Sequence, residues 1–295
     1  MIYPQRDQKR GDQPKRVKFS LLCAGFLSWL VAVIVAPAGY AAAETPSTHL
    51  IIAGSGSNLP IIRVLAQTFQ KSHPGVTIEV PASIGSSSGI RAAADGAIAI
   101  GLISRPLKEA EKGLGLTVRN FARTPMIIGA HRSVTDDTIT FQELIEIYNG
   151  KKRSWKDGRE IIVLTRESED SSIVVLVNGI PGFKEVYDES QRAKRWTTLL
   201  KDQVMNETLA KPPHAVGLSD LGAMTVERHA IKPLKVNGVA PTLKNLENGK
   251  YPLYKTLTFV FLNDKLPPTA REFMAFAQSG EGKRIMRTNG YLPEK

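Results

Sequence analysis

From residue 49 onward the chain alternates between two hydrophobic periods. Residues 49–53 (HLIIA) form an unbroken apolar run closed by Gly54, the pattern of a buried strand. Residues 58–72 place Leu59, Ile62, Leu65 and Phe69 on one helical face, with Pro60 in the first turn. Residues 76–80 (VTIEV), 98–103 (AIGLI after Ile98) and 126–130 (MIIGA) read as strands, and 90–94 as a short helix after a Gly/Ser loop. Residues 140–150 predict a helix with a capping box of Thr140 and Glu143. Its apolar positions are Phe141, Leu144, Ile145 and Tyr148, and Gly150 is its stop. Further strands are predicted at 161–164, 215–218 and 256–262, and closing helices at 270–277 and 282–287. Strand–helix alternation of this kind predicts an α/β fold with mostly parallel sheets. Ligands of such folds sit at the carboxyl ends of strands, in loops that lead into helices.

The pattern differs before residue 44. A polar, basic stretch carries Arg6, Lys9, Arg10, Lys15, Arg16 and Lys18, and residues 21–35 then run without a charge. Pro37 and Gly39 break the run, and Ala41-Ala42-Ala43 follows. This is the order of a secretory signal peptide, expected to be cleaved after Ala43. Fifteen apolar residues reach about 22 Å as a helix, short of a hydrocarbon core of roughly 30 Å. Leu22 before Cys23 argues against a lipid anchor. The 295-residue chain has a net charge of +11. Losing 43 residues, with six Lys/Arg and two Asp/Glu among them, leaves 252 residues at +7 with no cysteine. An exported chain without disulfides must hold together by core packing. Its dispersed cations, with no basic-aromatic stripe, exclude a nucleic-acid partner.

Four strand-to-helix loops are rich in small hydroxyl residues: 54–58 (GSGSN), 85–89 (GSSSG), Ser104-Arg105, and 166–172 (RESEDSS). Helix N-termini expose N–H groups, serines add donors, and an arginine adds a forked cation. Loops converging in this way suit a small tetrahedral oxyanion. Several other chemistries compete for the same residues. GSGSNL lacks the third glycine of a dinucleotide fingerprint, and no GxxxxGK sequence occurs. GSSSG matches a nucleophile elbow and makes Ser87 a candidate serine-hydrolase nucleophile, but no oxyanion loop precedes it. The five histidines, His49, His73, His131, His214 and His229, show no ligand spacing, so neither a metal nor a cofactor is expected.

Together these segments resemble the periplasmic phosphate-binding proteins of bacterial ABC transporters, the Pst type. The resemblance is carried by AGSGSNLP (53–60), IGSSSGI (84–90), IGLISRPL (100–107), TFQELIEIYNGKKRSW (140–155), AVGLSDL (215–221), YPLY (251–254) and FMAFAQSGEGKRIMRTNGYLP (273–293). It implies a two-lobed periplasmic-binding-protein fold of type II. One lobe would comprise residues 44–125 and 231–295, the other residues 126–230, with the cleft between them. It implies no enzymatic activity, a periplasmic or secreted location, a monomer, inorganic phosphate or a similar oxyanion as ligand, and a permease as partner. It puts Asn58 and Leu59 at the first anion loop, Ser86 at the second, Ser104 at the third, and Arg166 with Asp170, Ser171 and Ser172 in the second lobe. Asp170 stands where the family carries a serine, and Ser104 where some members carry an aspartate that accepts the ligand's proton. Asp170 is therefore expected to supply that acceptor from the other lobe. A lobed sensor or scaffold with an altered anion site is the remaining alternative.

Overall fold

The structure is a computed structural model that describes residues 48–295; the predicted leader, residues 1–43, lies outside them. The chain opens with β1 (Thr48–Gly54), α1 (Leu59–Ser72), β2 (Val76–Glu79), α2 (Gly85–Ala94), β3 (Ile100–Ile103) and α3 (Glu109–Lys112). It continues through β4 (Thr117–His131), β5 (Thr138–Ile139), α4 (Phe141–Tyr148), β6 (Ile162–Arg166), α5 (Ser171–Gly179), α6 (Phe183–Arg192) and β7 (Thr197–Leu199). Then come α7 (Asp202–Leu209), β8 (Ala215–Asp220), α8 (Leu221–Glu227), β9 (Ile231–Pro233), β10 (Lys235–Val236) and α9 (Leu243–Glu247). The chain ends with β11 (Tyr254–Phe261), α10 (Pro268–Gln278), α11 (Gly280–Thr288) and β12 (Leu292–Pro293).

The fold is α/β, with strand order β2-β1-β3-β11-β4-β8-β6-β7. The outer strands run parallel: β1 with β2 and β3 at one end, β6 with β8 and β7 at the other. Between them β11 and β4 are antiparallel to each other and to their outer neighbours. β4 runs 15 residues, far past the predicted 126–130. Its first part pairs with β11 as far as Pro125, and from Met126 it pairs with β8. Partners change where a proline, which has no N–H to give a ladder, sits in the strand.

Each half packs its own core. The predicted face of α1 lies buried against Ile52, Phe121, Phe259 and Phe273, with the rings of Phe121 and Phe259 stacked at 4.1 Å. Such a ring pair adds about 1 kcal/mol beyond the area it buries. The second core gathers Met126, Ile128, Tyr148, Trp155, Phe183 and Tyr187. It also takes Leu234, Val236, Tyr251 and Leu253, which the sequence reading assigned to the first half. The cause is backbone pairing: β9 joins β4 at Gly129 to His131, β10 joins β5, and Met126 N–H donates to Leu253 O. The chain therefore returns to the first core only after Leu253.

Candidate functional site

A cleft of about 500 Å³ opens between the two halves, lined by Ser55, Ser83, Ser86, Ser87, Ser88, Arg166, Glu167, Asp170, Ser171, Lys201 and Asp202 among others. The carboxyl ends of β1 and β6 and the first turns of α2, α5 and α7 deliver these residues. The predicted 85–89 loop is itself helix: α2 begins at Gly85, so GSSSG supplies a helix N-terminus instead of preceding one. Gly89 allows this turn to lie against β1, because a Cβ there would sit 2.9 Å from Gly54 Cα.

Three serine hydroxyls bridge the halves. Ser104 Oγ donates to Ser171 Oγ at 2.9 Å and lies 2.6 Å from Ser55 Oγ. A hydroxyl has one proton, so Ser104 accepts from Ser55, and Ser171, which lines the cleft, keeps its own proton for another acceptor. Ser104 N–H donates to Ser86 Oγ at 3.4 Å.

Arg166 ends β6, where Tyr187 OH donates to its carbonyl at 2.8 Å. Its guanidinium is 4 % exposed, donates to Asp170 Oδ2 at 2.6 Å and to Leu199 O at 2.9 Å, and stands 3.6 Å from Asp202. Its Nε–H has no partner among the described residues. Burial works against this cation, but Asp202 and Asp170 outweigh it and hold the guanidinium above its ordinary range.

The site residues named from the sequence divide into two groups. Ser86, Arg166, Asp170 and Ser171 line the cleft. Asn58, Leu59, Ser104 and Ser172 do not. The Asn58 and Leu59 N–H groups are spent on Ser55 O and Gly56 O, the Asn58 amide donates to Ile103 O at 3.3 Å, and the Leu59 side chain is wholly inside the first core. Ser55 takes their place at the wall. Ser104 sits behind the wall between Ser55 and Ser171, and Ser172 is buried with its N–H on Asp170 Oδ1 at 2.9 Å.

Asp170, expected to accept a proton from the ligand, is held by its own half. One carboxylate oxygen serves Arg166 and the other caps α5, so both are already engaged within the second half. Burial alone would raise its carboxyl, but Lys255, Arg166 and the Ser172 N–H outweigh burial and hold it below the usual range. Ser87 lies within α2 and accepts from Arg105 Nη2 at 2.8 Å, and no histidine lines the cleft beside it. The serine-hydrolase alternative has no support in this geometry.

Two site residues have no sequence signal. Lys255, in β11, is 1 % exposed and donates to Ser57 Oγ at 2.8 Å and to Asp220 Oδ2 at 3.3 Å. Asp220, Asp202 and Asp170 together overcome its burial, so it stays charged. Asp202 opens α7 and reaches across to the 54–58 loop. A Cβ on Gly56 would meet its Oδ2 at 2.2 Å, so only glycine permits the approach. An ion pair within reach of one of these residues would have marked them, but their partners lie between 35 and 198 positions away.

Residues 40–281 match the PBP superfamily domain, and the chain belongs to that family. It is 25 % identical over 258 residues to the phosphate-binding protein PstS of Bacillus subtilis strain 168, covering 85 % of this chain and 82 % of that one. It is 26 % identical over 250 residues to PstS of Borreliella burgdorferi, covering 82 % and 88 %. Among solved structures, a phosphate ABC-transporter substrate-binding protein from Clostridium perfringens with bound phosphate superposes with a TM-score of 0.76 at 25 % identity. It covers 84 % of this chain and all of that one.

Proposed function

We propose that this is an exported solute-binding protein that captures a small tetrahedral oxyanion, phosphate first, and presents it as a monomer to an ABC-transporter permease. Residues 1–43 would be its signal peptide, and the sheet halves its two lobes, closing about β4 and β11 by a hinge motion. One observation carries the reading: Arg166 and the hydroxyls of Ser55, Ser86 and Ser171 converge from both halves on one cleft. Forked N–H donors and hydroxyls suit a phosphate-like oxygen array. The proteins it resembles bear phosphate-binding names, which supports the same choice of ligand.

Titration calorimetry of the purified protein with phosphate should give saturable, one-to-one heat. Arg166→Ala should weaken it by at least about a hundredfold, the scale of a lost charged partner in a buried site. Retained affinity would place the site elsewhere. A sensor or scaffold without a ligand is the second reading, favoured by the Arg166–Asp170 pair at 2.6 Å, which already compensates the arginine. It expects no heat with phosphate, sulfate or molybdate.

A further inference from the structure

Five charged groups meet at the base of the cleft: Arg166 and Lys255 against Asp170, Asp202 and Asp220. Two cations face three carboxylates, so the cluster carries an excess negative charge before any anion arrives. An oxyanion beside Arg166 adds to that excess. One carboxylate is placed to relieve it. Asp170 has both oxygens engaged, by Arg166 and by the Ser172 N–H. Asp220 is 2 % exposed, holds Lys255, and does not line the cleft. Glu169 is paired with Lys108 at the mouth. Glu167 also lines the cleft but is exposed to solvent, whereas Asp202 is the partly buried carboxylate at the wall: 16 % of its side chain is open, it makes no hydrogen bond among the described residues, and its nearest cations stand at 3.6 and 3.9 Å.

We propose that Asp202 couples anion capture to proton uptake, so that an oxyanion enters the cleft together with one proton held on the Asp202 carboxyl. The inference rests on the oxyanion reading above. The proton comes from solvent and adds to a carboxylate oxygen, which then donates an O–H to the anion where a bare carboxylate would repel it. No bond of the anion breaks.

The groups facing Asp202 set its readiness. Arg166 in β6 and Lys255 in β11 favour its charged form; Asp170 at the start of α5 and Asp220 at the end of β8 oppose it. Glu167 lines the same cleft, and Asp202 is felt as far as the buried Tyr291 hydroxyl. Burial and Asp170 prevail, and the carboxyl is pushed up to about 6. Above that pH capture must recruit a proton, at a cost near tenfold in affinity per pH unit. Below it the proton is already present.

The test compares phosphate binding by the wild type and Asp202→Asn, so that the ligand's own ionisation cancels. The variant should bind about tenfold more tightly at pH 7, about a hundredfold at pH 8, and equally at pH 5.5. A ratio independent of pH, or weaker binding by the variant at pH 8, would overturn the coupling. Titrations of both proteins at pH 8 in two buffers of different ionisation enthalpy count the protons. The wild type should take up about one more proton per phosphate than Asp202→Asn, and equal uptake overturns the proposal. Saturable binding without these signatures removes the coupling alone. Heat from neither protein with phosphate or sulfate, from pH 5.5 to 8, removes the oxyanion reading with it.

Discussion

Asp170 and Asp202 share one arginine and should act on stability with opposite signs. The Asp202 carboxyl is raised to about 6 in the folded chain, against about 3.9 for an unperturbed aspartate. A raised carboxyl gives stability that is full below the unfolded value and lost as pH rises through the folded one. At pH 7.5 Asp202 therefore costs about 3 kcal/mol, and Asp202→Asn should regain it. Urea unfolding of the ligand-free protein should show that gain at pH 7.5 and none at pH 4. Asp170 is held below its ordinary range, so its contribution is present above the unfolded value and lost as pH falls through the folded one. Asp170→Asn keeps a good helix cap but leaves Arg166 without its nearest countercharge. It should lower stability by about 2 kcal/mol or more at pH 7.5 and nearly as much at pH 4, and by less only as pH falls below the unfolded value of about 3.9. Equal signs for the two variants would mean that the arginine does not distinguish its partners.

At the scale of elements, the sequence is legible where one period and one signal agree. α4 shows the predicted capping box, with Thr140 accepting from the Glu143 N–H at 3.1 Å and the Glu143 carboxylate accepting from the Thr140 N–H at 2.9 Å. Thr140→Ala should cost about 1 kcal/mol in urea unfolding with phosphate affinity unchanged, since α4 lines no part of the cleft. The helical face of α1 and the runs of β1, β3 and β6 were readable for the same reason: local spacing decides them. α5 was not. Its Ile173-Val174-Val175 run has strand-like composition, yet the Asp170 cap starts a helix there. The first half of β4 was hidden because Arg119, Asn120 and Arg123 interrupt its apolar pattern, and only pairing with β11 fixes it. Arg166 could be found as a cation at a strand end. Lys255 and Asp202 could not, because a lone lysine or aspartate reads as surface until folding buries it beside its partner.

Across the whole molecule, two kinds of bond span the cleft, and they should differ in weight. The Ser104–Ser171 hydrogen bond is buried, whereas the Lys108–Glu169 ion pair at the mouth leaves its side chains 45 % and 61 % exposed. Exposed ion pairs are worth at most about 1 kcal/mol and are screened by salt, whereas a buried hydroxyl that loses its partner costs about 1–3 kcal/mol. If the halves close over phosphate, both bonds hold the closed form and set the rate at which the ion escapes. Lys108→Ala should then speed phosphate dissociation by less than about fivefold, and the difference should vanish in molar salt. Ser171→Ala removes a bridge between the halves and a donor to the ligand, so its effect should exceed fivefold and persist in salt. Stopped-flow release of phosphate from the two variants at low and high ionic strength checks this. A salt-independent acceleration by Lys108→Ala would mean that the pair at the mouth acts through packing and not through charge.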